Sequence, residues 1–151
     1  MKATTSTRYG PPDVLQVKDV EKPTPKDGEI LVKVHAASIN AWDFDLLRGK
    51  RFLGFRGPHR KVLGADVAGR VEAVGGKPSV FQPGDEVFGD LCESGWGGFA
   101  EYVCAPEHAF TRKPPSISFA EAAAVPQAAA MALKGLREVG KIQSGQKVLI
   151  N

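Results

Sequence analysis

The chain has 151 residues, 42% of them hydrophobic, which suffices for one packed domain and a little more. Its 20 basic and 17 acidic side chains leave a formal charge of +3 with both signs scattered, which gives no argument for a nucleic-acid partner. No apolar run approaches the ~20 residues of a membrane span, and the N-terminus MKATTSTRYG lacks the apolar core of a signal peptide. Cys92 and Cys104 form no CxxC pair, so the expectation is a cytoplasmic protein with reduced thiols.

From Lys2 to about Lys113 the chain punctuates like a β domain, with short alternating runs separated by Gly and Pro. In EILVKVHAA, Ile30, Val32 and Val34 alternate with Leu31, Lys33 and His35, which predicts a strand covered mainly on one side. The stretch ASINAWDFDLLRGK follows, residues 37–50, with an amide, two carboxylates and a tryptophan at its turn. ADVAGRVEAVG puts Val67, Val71 and Ala73 on one face, and Gly69 removes a side chain where another backbone or a bend needs the space. QPGDEVFG supplies a Pro83-Gly84 pair suited to a type II turn, then a short strand. GGFAEYVCAP and HAFTRKP complete at least six strands, for which a small barrel or sandwich is the natural closure.

Pro114-Pro115 ends the β region, and Ser118 to Glu121 has the spacing of a capping box. Pro126 interrupts the first helix and begins a second, which runs through alanine-rich sequence to Gly140. KVLIN then reads as a fully buried strand opening a new unit. A lone apolar strand leaves its ladder groups exposed, so the sequence is expected to be a fragment of a longer protein. The expected division is residues 1–115 as one domain, and 116–151 as linking helices and the first strand of a second.

In order and spacing together, YGPPDVLQVKDVEKPTPKDGEILVKVHAASIN, NAWDFDLLRG, VLGADVAGRVEAVG, FQPGDEVFG, GGFAEYV and FAEAAAVPQAAAMALKGL leading to GQKVLIN resemble the N-terminal part of medium-chain dehydrogenases/reductases, in particular their zinc-free quinone oxidoreductase branch. The resemblance implies a mainly β fold: a GroES-like barrel that carries most catalytic contacts, with C-terminal helices leading into a Rossmann domain that binds NADP or NAD. It also implies an active site in the cleft between the two. Here the glycine-rich turn that would grip the pyrophosphate is not in the sequence. Relatives that use zinc carry a cysteine ligand at the position of Asn40 and a histidine at that of Ala65. An amide and a methyl group replace neither ligand, and the four-cysteine structural zinc lobe has no counterpart. His35, His59 and His108 share no ligand spacing and read as surface or strand residues. The implied protein is zinc-independent and has no metal site.

Without a Lewis acid, the fitting acceptors are quinones and α,β-unsaturated carbonyls, whose reduced forms delocalise the charge so that hydrogen-bond donors suffice. By resemblance the catalytic candidates are Asn40, Asp43 and Asp66, and the cofactor contacts are Asn40, Pro126 and Met131. Asn40 either donates its NH₂ to substrate or nicotinamide or caps a turn. Asp43 braces its loop. Asp66 faces the former metal cavity or braces its strand. Asp45 stands where many quinone reductases carry a tyrosine, and Met131 where a threonine is common. Trp42 and Phe44 read as core residues, and RFLGFRGPHRK as a solvated loop. Two other readings of the chain are a stand-alone GroES-like binding module and a ring-forming structural protein without redox activity. The expected partner is a small conjugated carbonyl or quinone, with no nucleic acid or membrane, and the longer protein can be a homodimer.

Overall fold

A computed structural model describes residues 1–49, 62–77 and 79–150. The chain opens on a ribbon in which β1 (Lys2–Thr5) pairs antiparallel with β2 (Gln16–Asp19). The alternating run predicted first forms β3 (Glu29–Ala37), and the polar stretch after it turns into a short helix, α1 (Ala41–Leu47). Then come β4 (Asp66–Val74), β5 (Glu86–Asp90), β6 (Tyr102–Pro106) and β7 (Phe110–Arg112). β3 to β7 make one antiparallel sheet in the order β6-β3-β4-β5-β7. Among the described residues the sheet and the ribbon do not close into a ring. Single bridges link β1 to residues that precede strands of the sheet, Ala3 to Ala100 ahead of β6 and Thr5 to Val62 ahead of β4.

The central pairing follows the predicted faces with one correction. Ile30, Val32, Val67 and Val71 are buried in one cluster with Val87, Leu91 and Val103, but the next residue packed against it is Val74, not Ala73. The register slips between Leu31 and Val32, where Leu31 faces Ala73 and Val32 faces Val71. Such a bulge inserts one residue, here Glu72, and so transfers the rest of the strand to the other face. Gly69 lies where a Cβ would overlap the carbonyl oxygen of Lys33, which is the close backbone approach its lack of a side chain suggested. At the predicted turn, Gly84 has φ 98° and the Asp85 N–H donates to the Gln82 carbonyl at 3.1 Å.

Beyond the sheet, α2 (Phe119–Ala123) starts on the expected capping box: Ser118 Oγ accepts from Glu121 N–H at 3.2 Å, and Glu121 Oε2 accepts from Ser118 N–H at 2.7 Å. Its Ala122 and Ala123 pack flat on Ala68 of β4, small against small, so the helix lies close to the sheet. α3 (Pro126–Leu133) begins at Pro126 and continues as a π-helical turn over Lys134–Val139, ending at Gly140. Residues 146–150 are not paired as a strand, and Leu149 is 91% exposed. The physical reason is that a strand exists only through its ladder partners, and residues 147–150 have none among the described residues. The basic stretch RFLGFRGPHRK and Asn151 lie outside the described residues.

Candidate active site

The N-terminus of α1 and the start of β4 meet through one carboxylate. Asp43, in the first turn of α1, is 4% exposed; its Oδ2 accepts from the Asn40 N–H at 2.8 Å and its Oδ1 from the Gly64 N–H at 2.9 Å. It therefore braces the loop, as expected, and clamps Asn40 beside the segment that enters β4. Burial raises the Asp43 carboxyl above the usual range, against these two N–H donors.

Asp66, at the first position of β4, is fully buried and is the hub of the site. Its Oδ2 accepts from Gln127 N–H (3.1 Å), Asn40 Nδ2 (3.2 Å) and Ser38 Oγ (3.3 Å), whereas its Oδ1 is buried without a partner among the described residues. Burial pushes this carboxyl up as well; the donors oppose the shift and the charge of Asp90 adds to it. Asp90 is the residue paired with Asp66 across β4 and β5. Gln127 joins them, since its backbone N–H goes to Asp66 and its Nε2 donates to Asp90 Oδ1 at 3.3 Å. Cys92 completes the chain of contacts, with N–H to Asp90 Oδ1 at 2.8 Å and Sγ donating to Asp90 Oδ2 at 3.3 Å. Burial and this hydrogen bond push the Cys92 thiol up to about 11.

The network borders a cavity of about 610 Å³, walled by Trp42, Leu46, Trp96, Pro126, Ala130 and Met131. Its polar lining is Asp90, Cys92, Glu93 and Gln127. Trp42 and Phe44 were expected in the core, but they are 40% and 39% exposed, because α1 has only seven residues and turns its Leu46 and Leu47 inward instead. Trp96 is held at φ 65° between Gly95 and Gly97, a left-handed conformation costly for a bulky side chain, which fixes one wall of the cavity. Ala65 is fully buried in an apolar cluster with Leu46, Leu47 and Trp96.

The structure thus brings Asn40, Asp43 and Asp66 into one hydrogen-bonded group and sets Pro126 and Met131 on the adjoining cavity. Asn40 turns its NH₂ toward Asp66 and Ser38 (3.4 Å), and it closes a capping box with Asp43 at the start of α1, in which each side chain accepts from the other residue's backbone N–H. Sequence reasoning passed over Gln127, Asp90 and Trp96. Gln127 carried a signal: it follows a proline at the first helical position, where the next backbone N–H has no intrahelical acceptor. Asp90 carried none, since its pairing with Asp66 exists only in the folded sheet.

An antiparallel, partly open β domain that presents a carboxylate-centred network to an apolar cavity, with helices leading away from it, defines the catalytic-domain class of the medium-chain dehydrogenases/reductases. The family model for the alcohol dehydrogenase GroES-like domain matches residues 26–115, and the chain belongs to that family. The chain is 40% identical over 157 residues to 2-methylene-furan-3-one reductase of Solanum lycopersicum, covering 99% of this chain and 40% of that protein. To the quinone oxidoreductase of Homo sapiens it is 34% identical over 157 residues, covering 100% of this chain and 45% of the relative. The crystal structure of Escherichia coli quinone oxidoreductase complexed with NADPH matches with a TM-score of 0.83 and 26% identity, over 92% of this chain and 41% of that one. The chain therefore spans less than half the length of these relatives. Among the described residues, no helix is long and apolar enough to cross a membrane.

Proposed function

We propose that the chain is the N-terminal catalytic part of a cytoplasmic, zinc-independent oxidoreductase that uses NADPH or NADH to reduce quinones or α,β-unsaturated carbonyls. The observation that carries this reading is the cavity, whose two tryptophans and neighbouring apolar side chains suit a flat conjugated ring, while Asp90, Cys92 and Gln127 of its polar lining are joined in one hydrogen-bonded set. The names of the relatives support it, since they are quinone and enone reductases and one was crystallised with NADPH.

The described lining fits part of the cofactor and not the rest. It contains two carboxylates and no Lys or Arg, so it suits an uncharged nicotinamide ring and repels a pyrophosphate. Trp42, Pro126 and Met131 would border the ring, and the phosphates would be held by residues outside this lining. NADPH, when bound, supplies the hydride. The chain's own part is to exclude water, orient the acceptor and stabilise negative charge on its oxygen. Asp43 fixes the backbone at Asn40, and Asp66 and the capping box fix its side chain, so Asn40 orders the turn into α1 within the network that borders the cavity. Zinc independence rests on Asn40 and Ala65, because the amide is engaged by Asp66 and the methyl group is packed in the core.

The test is Asn40→Ala and Asn40→Asp in the longer protein that carries this sequence. A role at the reacting groups predicts a fall in kcat/KM of roughly 10–1000-fold with folding intact. A capping role alone predicts a loss of about 1 kcal/mol of stability and nearly unchanged turnover. Asn40→Asp places a second carboxylate against Asp66 and should be the slower of the two. Wild-type turnover of neither quinone nor enone with NADPH or NADH would refute the reading as a whole.

A further inference from the structure

Within the proposed substrate class, the cavity needs a hydrogen-bond donor for a carbonyl oxygen, and the chemistry of its lining narrows the choice. Asp90 and Glu93 are acceptors that repel such an oxygen, and the Cys92 thiol already points at Asp90. Asn40 does not line the cavity, and its NH₂ is turned onto Asp66 and Ser38. Gln127 lines the cavity and is held at both ends, its backbone N–H on Asp66 Oδ2 at 3.1 Å and its Nε2 on Asp90 Oδ1 at 3.3 Å. An amide nitrogen carries two N–H donors. Among the described residues, the tether to Asp90 is the only hydrogen bond made by the Gln127 side chain. The indole N–H groups of Trp42 and Trp96 are the other donors on the walls, each carried by a ring that forms an apolar face of the cavity.

We infer that Gln127 is the specificity-determining donor of this cavity: its second Nε2–H donates to the carbonyl oxygen of a conjugated acceptor while the first stays on Asp90. Anchoring removes most of the rotamer freedom of a glutamine before the ligand arrives, so little ordering cost remains to offset the new bond. Asp90 thereby acts as a positioning residue for Gln127. Its own place is set by the β4–β5 register, which puts it opposite Asp66. The inference rests on the reading of a conjugated carbonyl acceptor, but it can fail while that reading stands.

Trp42 and Trp96 are the two tryptophans of the sequence, and both wall the cavity, so their fluorescence reports its occupant in the 151-residue chain. The probes are duroquinone and durene, two ring molecules of nearly the same shape that differ in the carbonyl oxygens. The ring carbons of duroquinone are fully substituted, so Cys92 has no open carbon for conjugate addition. Duroquinone is titrated directly by quenching, and durene by displacement. Wild type should bind duroquinone about tenfold more tightly than durene, the ratio one net hydrogen bond supplies. Gln127→Met keeps the length of the side chain and the backbone N–H to Asp66 but has no donor; it should lose that tenfold for duroquinone and leave durene unchanged. Durene binding in the variant doubles as the control for an intact cavity. Gln127→Glu, an acceptor beside Asp90, should lose duroquinone at least as far. A Gln127→Met variant that keeps the preference for duroquinone, or that weakens for both ligands equally, overturns the role of Gln127 alone. If wild type binds neither probe, the conjugated-ring reading of the cavity falls, and this inference falls with it.

Discussion

Asp66 carries an unusual load for one side chain, since three donors converge on Oδ2 and Oδ1 is sealed without a partner among the described residues. Burial raises its pKa in the folded protein above the unfolded value of about 3.9, and this sets the sign of its contribution to stability. The folded state prefers the neutral carboxyl, so the stability that Asp66 contributes is present below about pH 3.9 and is lost as pH rises through its folded pKa. Asp66→Asn cannot ionise and escapes that loss. Urea unfolding from about pH 4 to pH 8 should show the variant gaining on wild type as pH rises, then a plateau. A difference that stays flat across this range would mean that Asp66 does not titrate there. The same residue orients Asn40 and the first turn of α3, so its substitution should also disturb whatever Asn40 and Gln127 contact.

At the scale of elements, the pairing of β3 with β4 fixes the site, because β3 leads through Ser38 and Asn40 into α1 while β4 begins at Asp66. That pairing depends on Gly69. A methyl group there meets the Lys33 carbonyl and comes within 2.8 Å of Val32 Cγ1, in the middle of the sheet where neither strand can move without disturbing the buried cluster. Gly69→Ala should therefore cost about 3 kcal/mol, the upper end for an overpacked core. Chemical denaturation is the measurement, and a loss below about 0.5 kcal/mol, as at ordinary surface sites, would contradict the close approach. The bulge at Glu72 belongs to the same level. It could not be read from alternation, because a bulge is chosen by the fit of two strands and leaves the composition of either one unchanged.

For the whole molecule, the relation between Asn40, Ala65 and Asp66 predicts metal independence. Ala65 is locked into an apolar cluster and Asn40 Nδ2 is drawn to Asp66, so the two positions that the resemblance matches to zinc ligands are held by packing and by the hydrogen-bond network. Protein purified without added metal should contain zinc well below one atom per chain by elemental analysis. Stoichiometric zinc removed only by a chelator would contradict this.

The resemblance to a family singled out Asn40, Asp43 and Asp66, and the sequence by itself determined the units and their order: alternating runs for the strands, Pro83-Gly84 for a turn, and the Ser118–Glu121 box and Pro126 for the helix starts. These are local properties, written in spacing and in the conformational limits of glycine and proline. Tertiary structure alone decided that Asp90 stands opposite Asp66, that Gln127 spans both, that Trp42 leaves the core for a cavity wall, and that Val74 replaces Ala73 in the core. Each of these depends on which surfaces meet across long sequence separations, and register, burial and the partner of a side chain are set by that meeting.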